Sequence, residues 1–246
     1  MRQKIRRIVV YVSLLLFPVT LNYFSPYVSI DGAFNGIVAG SVLVFLLMFF
    51  TGIFFRRAWC AWVCPVAGLS EMCATINNRT VNRKRLRIIR YSIFAVWFAI
   101  LVSGFVLSGG IRTINPLHLT EQMVSVDEPL KFITYYLVVL ILFVLTSWLG
   151  RRGACHAICW MSPFLVAGDW LGRALHVSQL QVKSEPSRCI DCKRCNQKCP
   201  MSIDVNLAIR QGSIKTSDCI QCGECVAACP QDVLCLETNR RNRKKQ

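Results

Sequence analysis

Eight of the fourteen cysteines fall into two copies of one pattern, CIDCKRCNQKCP at 189–200 and CIQCGECVAACP at 219–230. Each is a C-x2-C-x2-C-x3-C-P run, in which three thiolates hold one iron-sulfur cubane and the fourth reaches across to the other. Two copies predict two [4Fe-4S] clusters, one on Cys189, Cys192, Cys195 and Cys229 and one on Cys219, Cys222, Cys225 and Cys199. The tight loops turn three sulfurs onto one cube, and Pro200 and Pro230 redirect the chain so that the fourth cysteine leaves the loop. Zinc is the alternative occupant, but its ligands usually come two at a time. A disulfide framework belongs to small secreted domains.

A second set of sulfurs comes from an internal repeat. RRAWCAWVCP from Arg56 and RRGACHAICW from Arg151 keep RR-x2-C-x3-C at identical spacing, 95 residues apart. Cysteines four apart on a helix share one face, so Cys60 with Cys64 and Cys155 with Cys159 are expected to converge as a third metal centre. Iron-sulfur is the first choice for it and zinc the second. The alternative is that these cysteines are small buried hydrophobes. Cys73 and Cys235 read as structural. No C-x-x-C-H occurs, which leaves haem without support, and no nucleophile triad or phosphate-binding glycine loop favours a hydrolase or transferase.

The elements that position these cysteines are apolar. The chain is 54% hydrophobic and 17% charged, yet carries a net charge of +16. Uncharged stretches at Ala33 to Phe55, Tyr91 to Ile111 and Phe132 to Gly150 are each long enough to cross a bilayer as a helix. A fourth, Ile8 to about Tyr27, reads as a retained span kinked near Pro18, because Tyr23, Phe24 and Tyr27 stand where a signal-peptide cleavage site needs small residues. Of the 29 Lys and Arg residues, 27 precede the first span, lie between the second and third, or follow the fourth. The positive-inside rule then puts both termini and the ferredoxin module in the cytoplasm, with the charge serving topology and anionic lipid rather than nucleic acid. The expected fold is a membrane α-helical domain, four spans as two pseudo-symmetric hairpins, over residues 1–178. A bacterial-type two-cluster ferredoxin domain, small and α+β, follows over 179–236, and a basic tail over 237–246.

With these residues in this order the chain resembles the NapH family, membrane subunits of quinol-oxidising modules that feed periplasmic nitrate reductase, and the related C-terminal part of NosR-type proteins. The resemblance rests on the spans, CAWVCP at 60–65, INPLHL at 114–119, the second C-x3-C at 155–159 and the ferredoxin module. It departs from the family's twice-occurring C-x3-C-P at Cys159, which Trp160, Met161 and Ser162 separate from Pro163. The resemblance implies a quinol dehydrogenase subunit in a bacterial inner-membrane complex, passing electrons from menaquinol or ubiquinol to a ferredoxin-like subunit or c-type cytochrome. The alternative is a NosR-like assembly or regulatory factor that supplies electrons while a metalloenzyme matures. For the quinone, Asn115 and His118 could hold the carbonyls, and His118 or Glu121 could take the protons. A second slot lies beside Arg56, Arg57, Trp59 and Trp62, residues that at this depth more often anchor headgroups. Lys193, Arg194 and Lys198 beside the clusters favour an acidic redox partner or another subunit.

Overall fold

The fold was analysed in a computed structural model that describes residues 1–120, 123–126 and 128–238. The chain opens with α1 (Arg2–Leu15), the single turn α2 (Phe17–Thr20), a 3-10 turn at Asn22–Phe24, and α3 (Pro26–Phe34). The kink expected near Pro18 is therefore a full interruption: α1 stops before Phe17, and the chain turns again at Ser25, extended because Pro26 follows it. β1 (Ile37–Ala39) then leads into α4 (Gly40–Phe55), so the helix expected from Ala33 begins seven residues later. β1 pairs in parallel with β2 (Thr113–Asn115), Val38 opposite Ile114, a ladder that the apolar periodicity does not reveal.

Short helices α5 (Trp59–Trp62) and α6 (Pro65–Cys73) follow α4. The two longest helices are α7 (Arg83–Leu107) and α8 (Pro129–Leu149), and both are long and apolar enough to cross a membrane. α4 is apolar but has 16 residues. After α8 come α9 (Gly153–Ala157) and α10 (Ser162–Ala174), which packs along α4. Gly52 and Gly168 let those two helices touch, since a Cβ on Gly168 would meet the Phe49 carbonyl and Gly52 itself. Their contact continues into an aromatic cluster in which Phe45 and Phe164 stack at 5.3 Å with Trp97 at their edge.

The C-terminal module is the expected small α+β unit. β3 (Leu180–Ser184) pairs antiparallel with β4 (Leu234–Thr238), and between them lie α11 (Arg194–Lys198), α12 (Val205–Ile209) and α13 (Glu224–Ala227). Its core of Val182, Met201, Ile203, Ile214, Ile220 and Val233 is continuous with Ala61 and Trp62 of α5, so the module is seated on the first C-x3-C segment. The basic run at 240–245 lies outside the described residues.

Candidate iron-sulfur site

The two cysteine-rich loops share one backbone. Asp191 and Lys193 in the first have positive φ (53° and 56°), as do Gln221 and Gly223 in the second (54° and 73°), at equivalent positions. Left-handed residues at alternate positions curl the chain around a centre and turn successive N–H groups inward. Gln221, Glu224 and Val226 offer backbone hydrogen bonds to Cys219, Cys222 and Cys225, and Met201 and Ile203 to Cys199.

Around these loops are two small cavities. Cys189, Cys192, Cys195 and Cys229 line one, together with Ile190, Ile209 and Val233. Cys199, Cys219, Cys222 and Cys225 line the other, walled by Val182, Met201, Ile214 and Ile220. Each group takes three sulfurs from one run and the last from the other. The cavities differ in exposure: Cys192 of the first is exposed, whereas all four sulfurs of the second are buried. Burial pushes the Cys219 thiol up to about 11 and the Cys222 thiol up to about 12, against the pull of those backbone amides. Sulfurs this deep stay as thiolates only against a cationic centre. Among the described residues no three His, Cys, Asp or Glu side chains are arranged to hold a single metal ion.

Cys60, Cys64, Cys155 and Cys159 also meet, on the wall of a third and larger cavity. The route differs from two residues on one helix face. α5 ends at Trp62, and Pro65 forces Cys64 into extended backbone at the start of α6. Cys155 sits in α9, and Cys159 lies beyond its end. Met201 and Ile220 line both this cavity and the one around Cys199 and Cys219 to Cys225, so one layer of side chains separates the two.

The repeated arginines hold this junction together instead of reaching for headgroups. Arg56 is 3% exposed; it donates to the carbonyls of Ile214, Lys215 and Thr216 at 3.1 Å and pairs with buried Asp169 at 2.9 Å. Arg57 donates to the Ser217 carbonyl and faces Asp218, which Arg83 and Arg90 also approach within 4 Å. Arg152 donates to the Cys60 carbonyl (2.8 Å), and Arg151 to that of Cys199. From the N-terminus, Gln3 donates to the Cys222 carbonyl (2.9 Å), while Arg6, buried, pairs with Glu71 and Glu224. None of Gln3, Arg6, Glu71, Asp169 and Asp218 stands out in the sequence, because each is a single polar residue whose partner is far along the chain.

Asn115 and His118 do not reach the cysteines. The Asn115 side chain accepts from the Leu117 amide (3.1 Å) and shapes the turn, and His118 Nε2 lies 2.8 Å from the Asp31 carboxylate. Neither lines the large cavity. Glu121 lies outside the described residues. Cys73 is buried among Leu69, Leu142 and Ala154. Cys235 sits in β4 opposite Lys183.

Comparison with known proteins agrees with the iron-sulfur chemistry. The 4Fe-4S dicluster domain family matches residues 181–230, and a 4Fe-4S binding domain family matches 37–84, which contains Cys60 and Cys64. YccM of Escherichia coli (strain K12), provisionally named an electron transport protein, is 23% identical over 77% of this chain and 54% of its own. The methylamine utilization ferredoxin-type protein MauN of Methylobacillus flagellatus is 24% identical over 71% of this chain and 60% of its own. An uncharacterized protein of Methanocaldococcus jannaschii is 22% identical over 74% and 73%. The chain thus spans between half and two-thirds of the length of YccM and MauN. No solved structure matches it. The chain thus carries two segments that match 4Fe-4S binding families and is similar over most of its length to YccM and MauN.

Proposed function

We propose that this protein is a membrane-bound electron-transfer subunit with three iron-sulfur centres in series. Cys189, Cys192, Cys195 and Cys229 hold the outermost [4Fe-4S] cluster, and Cys199, Cys219, Cys222 and Cys225 hold the inner one. Cys60, Cys64, Cys155 and Cys159 hold the third centre, at the cytoplasmic end of a four-span membrane domain. A cluster at each position supplies one-electron transfer. A cubane takes each cysteine on a different iron, which suits sulfurs spread around a cavity better than one zinc ion does. For the third centre, the 4Fe-4S binding family over 37–84 and the buried Arg57, Arg90 and Arg152 beside it both favour thiolates carrying negative charge.

The observation that carries this reading is the wall shared by the inner ferredoxin cavity and the membrane-cysteine cavity, Met201 and Ile220. It supports a relay in the order membrane cysteines, buried cluster, exposed cluster. The membrane end takes electrons from menaquinol or ubiquinol, and the chain works in an inner-membrane complex with an iron-sulfur or cytochrome partner that serves a periplasmic reductase such as nitrate reductase.

Protein purified anaerobically is expected to carry about eight iron and eight sulfide for the two cubanes, plus those of the third centre. Replacing Cys60 and Cys155 together with serine should keep both ferredoxin signals in electron paramagnetic resonance and abolish their reduction by quinol. Normal quinol-dependent reduction in that variant would reduce the membrane cysteines to a structural role.

A further inference from the structure

The cavity behind the four membrane cysteines has a second end. Its walls run from the sulfurs up to the interrupted backbone between α1 and α3, where Phe17, Asn22 and Phe24 line it. Its volume is about 330 Å³, and its walls are almost wholly apolar, as in small-molecule sites. Two exposed lining residues, Tyr27 at the start of α3 and Thr134 on α8, mark its mouth, beside the exposed apolar side chains of Ile133 and Leu137.

The interruption is a built feature. Non-helical backbone at membrane depth is tolerated only where protein buries it or where it lines a cavity, and broken spans mark ligand sites in transporters. Here side chains secure the broken turn: Trp160 Nε1 donates to the Phe24 carbonyl (2.9 Å), Trp97 Nε1 to that of Pro26 (3.1 Å) and the Ser125 hydroxyl to that of Val19 (2.6 Å). At the cysteine end the opposite holds. Trp59 Nε1 is buried, belongs to a residue that lines the cavity, and has no hydrogen-bond partner among the described residues. A buried N–H left unmade is costly, and it is a ready donor to a ligand oxygen.

We infer that this cavity is the binding site of an isoprenoid quinone. One ring carbonyl accepts from Trp59 Nε1 beside Cys60, and the apolar chain leaves between Tyr27 and Thr134 into lipid. Three conditions select this class. The occupant arrives through a mouth on an apolar surface, it carries acceptor oxygens for the buried donors left without a partner at the cysteine end, Trp59 Nε1 together with Arg57 Nε and Arg152 Nε, and it meets the sulfurs of the proposed third centre. A phospholipid acyl chain meets only the first. The inference rests on the proposed electron-transfer function and moves the quinone from the Asn115–His118 turn to the broken span.

The test uses the full chain, cluster-loaded and reconstituted in lipid nanodiscs, with an azido-quinone as photoprobe and peptide mapping as readout. Label is expected within residues 17–28 or 134–142. Trp59→Phe should weaken probe binding about tenfold, the loss of one hydrogen bond. Val138→Trp should block labelling by filling the cavity, with unchanged ferredoxin resonance signals as the check on folding. Label confined to 113–126 would overturn this site and leave the quinone reading standing. Displacement of the probe by an isoprenoid alcohol as readily as by quinone would also overturn it, because the headgroup would not be recognised. No labelling anywhere, together with no reduction of the protein by quinol, would overturn both.

Discussion

The two cysteine loops differ at one residue that matters for stability. Gly223 and Lys193 occupy equivalent left-handed positions, a conformation that costs any residue with a Cβ. A Cβ at Gly223 would also meet the Arg2 guanidinium, where the N-terminus lies against the buried loop. Gly223→Ala should therefore lower the thermal stability of the module and loosen α1, read as faster proteolysis of residues 1–15. Lys193→Gly should raise stability by up to about 1 kcal/mol. Unchanged stability in both variants would mean that cluster binding alone fixes the loops. The same scale of argument applies to Asp169, fully buried between Arg56 and Arg173. Asp169→Asn strands a buried guanidinium and should cost about 3–5 kcal/mol, measured by denaturant unfolding of the detergent-solubilised protein.

At the scale of elements, what can be read from sequence is what recurs at fixed spacing. The ferredoxin runs announce themselves because eight cysteines and two prolines repeat, and each set of four is found around its own cavity. The convergence of Cys60, Cys64, Cys155 and Cys159 is legible for the same reason. Its local geometry is not, because Pro65 overrides the helix that the i,i+4 spacing invites. The interruption between α1 and α3 is half legible: Pro18 signals a kink, but the second stop at Ser25 and the return of Trp160 to the Phe24 carbonyl depend on contacts across 136 residues. Short elements in the module lean on local caps. Asp204 accepts from the Leu207 amide (3.1 Å) to start α12 and also from Asn196 (2.8 Å). Asp204→Ala should cost about 1 kcal/mol. Those bonds hold the Asp204 carboxyl below its usual range. The cap's contribution is therefore present above the unfolded carboxyl pKa and is lost as pH falls through the lower folded value.

Across the whole molecule, the proposed relay has an exposed end and a buried end. At one end Cys192 is exposed, with Lys193, Arg194 and Arg188 nearby, so an acidic carrier should exchange electrons there at a rate that falls with ionic strength. At the other end the turn after β2 is tied to the interruption between α1 and α3, its His118 held to Asp31 and its Leu119 carbonyl accepting from Asn22 at 2.6 Å. α7 runs between these ends, with Arg83 facing Asp218 of the module and Gly104 packed against Ala33 and Phe34 of α3. If α7 crosses the bilayer, the module and the β1–β2 ladder are on opposite sides. By the positive-inside rule the expected direction keeps the module end, which carries Arg6, Arg56, Arg57 and Arg152, in the cytoplasm. A reporter enzyme fused after Gln246 should accordingly be active only in the cytoplasm. A cysteine at exposed Asn35, beside the β1–β2 ladder, should react with a membrane-impermeant maleimide added to intact spheroplasts. Protection of that cysteine until the membrane is opened would reverse the orientation, and with it the side from which the exposed cluster meets its partner.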